Sequence, residues 1–259
     1  MYPPWAFFTN FLVFPPLSVQ HTRWYYALLD TISLVVLGVF SYQIGQPYGK
    51  LKAWFSVVTC FSISGLSNPL GIGQYGIIIN ALLIGMFWLI QKHRDILAGL
   101  LFGLALVKPN ISALFFFILI IRQRYVAVIA CFFYISFASL AIWMLTKVSP
   151  FYMLAKMITA SKYFGGSGYS GVNVLINFGL ETTIATVLLA LVMTVTLVAI
   201  LYVCRHYSLL TLFATAAVLG RIWTYHRAYD NVMLIFLLLA LLKMTLGKPN
   251  TGQTHLNLA

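Results

Sequence analysis

Acidic side chains are scarce in this sequence. Only four of its 259 residues are Asp or Glu, and charged residues of both signs make up 8% of the chain. A soluble domain carries about 25% charged residues, so this chain cannot cover itself with a polar surface. Four acids also supply few oxygen ligands for a divalent cation. The scarcity therefore excludes a soluble globular protein, and we predict neither a metal ion nor a cofactor.

Cysteines and nucleotide-binding motifs are equally sparse. The three cysteines lie far apart in or beside apolar segments, which suits small buried side chains better than a zinc site or a disulfide framework. Residues 71–76 match G-x-G-x-x-G, but they open an apolar run instead of following a strand, so they do not predict a dinucleotide site. The P-loop and the H-E-x-x-H motif are missing from the sequence. These absences argue against nucleotide-dependent and zinc-dependent chemistry.

Apolar residues are abundant instead. They make up 61% of the chain and form runs that approach the roughly 20 residues needed to cross about 30 Å of hydrocarbon. We predict an all-α integral membrane protein, with residues 1–246 as a single polytopic membrane domain and residues 247–259 as a short cytoplasmic tail. Gly99 and Gly103, four positions apart in one such run, predict a close contact between two helices.

Basic residues cluster in the short segments between the apolar runs and set the predicted topology. Cytoplasmic loops are enriched in Lys and Arg, and we assign the net charge of +12 to loops that meet membrane lipids, not to a nucleic-acid surface. Placing every cluster in the cytoplasm leaves the N-terminus outside, with residues 4–18 as a short interfacial or re-entrant helix. About nine spans follow, at residues 24–43, 53–66, 75–90, 95–107, 110–121, 125–145, 182–203, 208–221 and 231–246.

Residues 95–121 allow a second interpretation, a single helix kinked at Pro109. That helix would put Lys108 near the centre of the bilayer, where a lysine costs about 2.5–3.5 kcal/mol. It would also put the two flanking basic clusters on opposite sides of the membrane. We therefore favour two short helices that meet at Lys108-Pro109-Asn110.

Four polar stretches fall on the outer side in this topology: residues 67–69 with 73–74, residues 108–110, residues 147–173 and residues 221–230. The last is the densest, and its His226 and Asp230 are four positions apart, so they would meet on one helical turn. A histidine oriented by a carboxylate can transfer a proton or, when charged, bind an anion. A solvated loop with a structural ion pair is the alternative. Residues 147–173 predict a loop, either a mobile lid or a featureless connection.

Two further polar residues have alternative roles. Gln74 either hydrogen-bonds a substrate or caps the helix that follows it. Lys108 either binds a substrate or extends to lipid headgroups. Several outward cations with few anions nevertheless fit a phosphate held by Lys and Arg side chains.

Several short motifs follow one another in a fixed order: Tyr2-Pro3-Pro4 with Pro15-Pro16-Leu17, Asn68-Pro69 with Gly73-Gln74, Gly99 and Gly103 with Lys108-Pro109, and Tyr225-His226 with Tyr229-Asp230. In this ordered combination the chain resembles glycosyltransferase family 87, within the GT-C superfamily of membrane glycosyltransferases. The resemblance implies a GT-C-type helical bundle in the plasma membrane that transfers a hexose, commonly mannose, from a polyprenyl-phosphate sugar to a glycan or glycolipid acceptor on the non-cytoplasmic side. Lys108, Arg221 and Arg227 would hold the phosphate, and Gln74, Tyr225, His226 and Asp230 would line the sugar.

One departure from the family pattern concerns catalysis. The resemblance implies a catalytic aspartate in an outer loop that precedes the Tyr-Pro-Pro motif, but this chain begins at the motif and has no acid before Asp30. We expect the first helix and the catalytic loop to be missing, with His226 and Asp230 as the catalytic candidates and Asp30 as a residue of the first full span. A lipid or sugar carrier and an inactive fragment are the alternatives; the lack of an internal repeat argues against the carrier.

Overall fold

The computed structural model describes residues 2–13, 18–63, 74–165, 171–222 and 228–247, and within these ranges it contains helices and turns but no strand. The prediction of an all-α protein is confirmed over these residues. Short 3₁₀ turns lie at Gln46–Tyr48, Ala113–Phe115 and Ala228–Leu234. The α-helices are α1 (Pro4–Val13), α2 (Val19–Gly45), α3 (Lys50–Phe61), α4 (Gly76–Gln91), α5 (Asp95–Ala105), α6 (Pro109–Ser112), α7 (Phe116–Ile121), α8 (Tyr125–Thr146), α9 (Pro150–Gly165), α10 (Gly171–Asn177), α11 (Thr182–Val203), α12 (Leu209–Gly220) and α13 (Ile235–Thr245).

Three helical segments in the described ranges are long and apolar enough to cross a membrane: Val19–Tyr48, Tyr125–Thr146 and Thr182–Val203. Other apolar helices are shorter, such as Asp95–Ala105 with 11 residues. At 1.5 Å per residue such a helix extends about 16 Å, roughly half of a 30 Å hydrocarbon layer. The predicted count of about nine spans is therefore wrong for the described helices, because several predicted segments, such as residues 95–107, fold as helices too short to cross a membrane.

Residues 95–121 fold as two antiparallel helical stretches, as predicted. The rings of Phe102 and Phe116 stack with centroids 6.4 Å apart, whereas fourteen residues of straight helix would separate them by about 21 Å. The reversal occurs at Lys108, whose backbone leaves the helical region at φ −127° and ψ 79° because the next residue is proline. Pro109 then begins α6, where its missing N–H costs no helical hydrogen bond.

The helices give the bundle two chemically different ends. α2 and α4 run in the same direction, since the Tyr26 ring meets Tyr75 near their starts and the Phe40 ring meets Phe87 further along. We call the end at which they start the polar end. The opposite end, which we call the basic end, carries the turns after α4 and α7, where the Arg124 guanidinium lies 2.9 Å from Nδ1 of His93.

Between the two ends, five phenylalanines from different parts of the chain form a buried group that we call the phenylalanine layer. Their ring centroids are 5.1 to 6.1 Å apart, mostly in edge-to-face geometry. Aromatic side chains of this kind each bury about 150–250 Å² and dominate the energy of a core. The layer consists of Phe40, Phe87, Phe115, Phe213 and Phe236.

Two glycines bring α5 against α8, as their spacing predicted. A Cβ atom on Gly99 would lie 2.1 Å from the carbonyl oxygen of Ala127, and one on Gly103 would lie 2.7 Å from the ring of Tyr134. Glycine is required at Gly99 because the obstacle is backbone. α1 packs on α8, where Thr9 Oγ1 lies 2.8 Å from the Tyr134 hydroxyl. A short N-terminal helix is thus confirmed, and its place at the membrane interface stays a prediction.

The prediction of a loop over residues 147–173 is wrong for most of that range. α9 occupies Pro150–Gly165 and α10 begins at Gly171. Pro150 suits the first position of a helix, and the chain then has neither glycine nor proline until Gly165. The glycines and serines that suggested a loop lie mostly in 166–170, outside the described residues.

Candidate functional site

Lys108 and Asp230 form an ion pair at the polar end of the bundle. Nζ of Lys108 donates to Oδ1 of Asp230 at 2.6 Å, although the two residues are 122 positions apart in the sequence. The side chains are 12% and 2% exposed. Removing two charges from water is costly, and the pair compensates for that cost only through close contact and further hydrogen bonds.

Two local features place this pair. Lys108 ends the turn between α5 and α6, and the indole Nε1 of Trp5 holds that turn by donating to the carbonyl oxygen of Leu106 at 2.9 Å. Asp230 lies in the 3₁₀ turn Ala228–Leu234, which packs against α4 and α12 and leads into α13. Both side chains therefore come from helix breaks, where the chain can aim a polar group without interrupting a helix.

A second cation lies beside the pair. Arg221 follows the last residue of α12 and is 8% exposed, and its guanidinium donates to Oδ1 of Asn231 at 2.5 Å. The carboxylate of Asp230 also acts electrostatically on Arg221. One carboxylate thus interacts with two cations, which leaves this part of the site with a net positive charge.

Tyr2 connects the pair to a group of aromatic side chains. Burial raises the pKa of the Tyr2 phenol, and the neighbouring Asp230 carboxylate raises that pKa further. The phenol therefore stays neutral and able to donate a hydrogen bond. The Tyr2 ring meets Tyr75 edge to face at 6.0 Å, and the Tyr75 hydroxyl donates to Oδ1 of Asn10 at 2.6 Å.

The chemistry of these groups favours an anionic ligand. Lys and Arg form short, strong, charge-assisted hydrogen bonds with phosphate or carboxylate oxygens, and Arg can do so with two donors at once. Among the described residues, no group of three His, Cys, Asp or Glu side chains comes together as a metal site. The residues at the polar end can thus hold a phosphate directly through nitrogen donors.

The predicted site residues are brought together in part. Lys108, Arg221 and Asp230 meet as described, and Gln74 lies half-buried immediately before Tyr75. The N-cap residue of α4 is Tyr75, so Gln74 does not occupy the capping position. Tyr225, His226 and Arg227 lie outside the described residues, and their roles in binding or catalysis stay predictions.

Several polar residues at this end were missed by the sequence interpretation. Tyr2 was noted only as part of a motif, and Asp30 was assigned to a membrane span. The structure buries Asp30 at 2% exposure on the same face of α2 as Tyr26. An acid within an apolar helix is by default a candidate functional residue, and that signal was available in the sequence.

The model of glycosyltransferase family 87 matches residues 1–249, nearly the whole chain. No curated protein matches the chain, and no solved structure does.

Proposed function

Because the chain belongs to glycosyltransferase family 87 and is therefore a membrane glycosyltransferase, we propose a polyprenyl-phosphate hexose, with mannose as the sugar, as its donor. The acceptor in this proposal is a glycan or glycolipid on the non-cytoplasmic side of the plasma membrane. The observation that carries the proposal is the presence of two largely shielded cations, Lys108 at 12% and Arg221 at 8% exposure, which both interact with Asp230 at the polar end of an apolar bundle.

The two cations suit the phosphate of such a donor. In the transfer, the acceptor hydroxyl attacks the anomeric carbon, the bond from that carbon to the phosphate oxygen breaks, and polyprenyl phosphate leaves with the bonding electrons. Negative charge therefore grows on the phosphate, where pre-placed cations stabilise the transition state more than the ground state. Arg227 is proposed as a third phosphate ligand, and Gln74 and Tyr225 as ligands of the sugar.

The acceptor hydroxyl must also lose a proton. We assign this step to His226, with Asp230 as the carboxylate that orients it, on the basis of their four-residue spacing. Asp230 has a second task, because its contact with Lys108 holds the ammonium group at the site before the donor arrives. Lys108 carries three N–H donors, so it can keep that contact and still bind a phosphate oxygen.

The distribution of charge and apolar surface supports a lipid donor and the proposed side. The exposed face of α2 includes Trp24, Leu28, Ile32 and Val35, which suit contact with acyl or polyprenyl chains. Arginine, lysine and histidine gather in the turns of the basic end, which by the positive-inside rule faces the cytoplasm. The polar end then faces the non-cytoplasmic side of the membrane. A polyprenyl-phosphate sugar carries no nucleotide, so the protein needs no nucleotide-binding site to bind it there.

The proposal is tested with the full chain reconstituted in lipid nanodiscs. Radiolabelled polyprenyl-phosphate mannose should yield a glycosylated product, whereas nucleotide-linked mannose should yield none. Lys108→Gln and Arg221→Gln should each lower kcat/KM about 100-fold, which corresponds to losing about 2.7 kcal/mol of transition-state stabilisation.

The matched control is Lys92→Gln, which removes one exposed cation from the basic end and should leave turnover unchanged. Transfer from the nucleotide sugar would contradict the proposed donor. Full activity in Lys108→Gln and Arg221→Gln would remove both cations from the mechanism, and movement of the lipid across the membrane without any glycosidic product would favour a carrier.

A further inference from the structure

A second set of polar side chains lies along α2, on the side of the helix that is buried in the bundle. The buried residues of α2 from Tyr26 to Phe40 recur at intervals of three or four, which marks one stripe along the helix. The stripe begins with Tyr26, Asp30 and Ser33 and continues with apolar residues such as Leu37 and Phe40. Because α2 starts at the polar end, the polar half of the stripe lies toward the ion pair and the apolar half lies toward the phenylalanine layer.

Asp30 differs from the buried serines of α2. Ser33 donates to the carbonyl oxygen of Leu29, and Ser41 donates to that of Leu37, so each hydroxyl group has a partner within its own helix. A carboxylate accepts hydrogen bonds only, and the N–H groups inside a helix are already used. Accordingly, Oδ1 of Asp30 is buried and accepts no hydrogen bond from the part of the chain that the structure describes.

Three tyrosines connect Asp30 to the ion pair, and we call them the tyrosine row. The carboxylate of Asp30 acts electrostatically on the Tyr26 phenol, and the Tyr26 ring meets Tyr75 edge to face at 6.4 Å. Tyr75 in turn meets Tyr2, which lies beside Asp230. The row of Tyr26, Tyr75 and Tyr2 therefore extends from one buried carboxylate to the other.

The two ends of the row suit different parts of a ligand. Lys108 and Arg221 attract a phosphate, whereas the negative charge of Asp30 repels one. A carboxylate beside phenols and aromatic ring faces suits a neutral polyol, whose hydroxyl groups donate to the carboxylate while its C–H groups contact the rings. Keeping an acid inside an apolar helix costs stability, and such residues are retained where they bind a ligand.

We propose that Asp30 and the tyrosine row form a hexose-binding subsite, in which Asp30 accepts hydrogen bonds from sugar hydroxyl groups. The inference rests on the proposed glycosyl transfer and adds a direction to it, since the phosphate lies at Lys108 and the sugar extends toward α2. The hexose is either the one being transferred or one belonging to the acceptor. Both present the same hydroxyl chemistry to Asp30.

The test uses Asp30→Asn in the full chain, with methyl α-mannoside as the sugar probe and polyprenyl phosphate as the phosphate probe. Ligand binding is read from the rise in melting temperature of the reconstituted protein. Asp30→Asn should bind methyl α-mannoside about tenfold or more weakly, because hydrogen bonds to a charged acceptor exceed those to a neutral one. Its affinity for polyprenyl phosphate should stay that of the wild type.

A stability measurement separates binding from a structural role. Since Oδ1 of Asp30 has no donor among the described residues, Asp30→Asn without ligand should melt at or above the wild-type temperature. Ser33→Ala, one turn further along the same stripe, is the matched control and should bind both probes normally. Kinetics of Asp30→Asn then identify which hexose the subsite binds. A raised KM for the donor shows that Asp30 binds the transferred hexose, and a raised KM for the acceptor shows that it binds a hexose of the acceptor.

Unchanged affinity of Asp30→Asn for methyl α-mannoside would overturn the proposed subsite. A lower melting temperature combined with weaker binding of both methyl α-mannoside and polyprenyl phosphate would also overturn it, because Asp30 would then have a structural role. If Asp30→Asn does not fold, Tyr26→Phe keeps the ring and removes the phenol next to Asp30; it should weaken methyl α-mannoside binding about three- to tenfold. Normal binding by that variant would equally overturn the subsite. Failure of wild-type protein to bind polyprenyl phosphate would instead contradict the proposed donor.

Discussion

The Lys108–Asp230 ion pair permits a quantitative test of the site by a double-mutant cycle. Lys108→Met replaces the cation by an apolar side chain of similar length and leaves a carboxylate that is 2% exposed without its partner at 2.6 Å. Breaking one side of a buried pair costs about 3–5 kcal/mol, most of it from the charge left behind. Arg221 remains near Asp230 and compensates in part, so we expect the lower value, about 3 kcal/mol.

The other two variants of the cycle should cost less. Asp230→Asn leaves Lys108, which is 12% exposed and has a flexible stem that can reach polar surroundings, so about 1.5 kcal/mol is expected. The double variant has no stranded charge and should lose about 2 kcal/mol in total, less than Lys108→Met alone. The coupling energy between the two residues is then about 2.5 kcal/mol, within the range for directly interacting groups.

Thermal unfolding in detergent micelles, followed by tryptophan fluorescence, measures the cycle. A loss of about 3 kcal/mol lowers the melting temperature by about 6–12 °C in a chain of this size. A coupling energy below about 0.5 kcal/mol would refute the reasoning, because the ion pair would then contribute nothing specific to stability. A double variant less stable than Lys108→Met would refute the account of the stranded charge.

Two further variants test the packing around the site. Gly99→Ala should lower the free energy of unfolding by about 1–3 kcal/mol, because the new Cβ would lie 2.1 Å from the carbonyl oxygen of Ala127. In the same melting assay the control Gly38→Ala should cost about 1 kcal/mol or less, since the nearest neighbour of its Cβ is a ring atom at 3.4 Å. Trp5→Phe removes the hydrogen bond to the turn before Lys108, so it should lower the free energy of unfolding by about 1 kcal/mol and also lower the kcat of sugar transfer. An unchanged kcat would show that Trp5 does not position that turn.

Part of the polar end could be predicted from loop charges. Placing every basic cluster in the cytoplasm put Lys108, Arg221 and Asp230 on the same side of the membrane; the structure pairs Lys108 with Asp230, and Asp230 acts electrostatically on Arg221. The argument worked because charge distribution and the cost of a buried lysine act on the chain independently of its detailed packing. It also gave the helix reversal at Lys108, which the Phe102–Phe116 contact confirms.

Other features depend on information that a hydropathy pattern does not contain. The number of membrane spans is one. Residues 95–107 and 208–221 were predicted as spans, and they fold as helices α5 and α12, which have 11 and 12 residues and are too short to cross a membrane. The side of a helix on which a residue lies is another such feature. Asp30 was assigned to a span correctly, but only packing shows that it faces the interior and not the lipid. The tyrosine row could not be foreseen because its members come from three separate segments.

The phenylalanine layer has a consequence for the protons that the reaction releases. Five buried rings packed 5.1 to 6.1 Å apart form an apolar layer between the polar end and the basic end. In the proposed transfer, a proton taken from the acceptor hydroxyl leaves toward the compartment that the polar end faces. We therefore expect sugar transfer in sealed vesicles to acidify that compartment alone and to leave a standing pH gradient across the membrane intact.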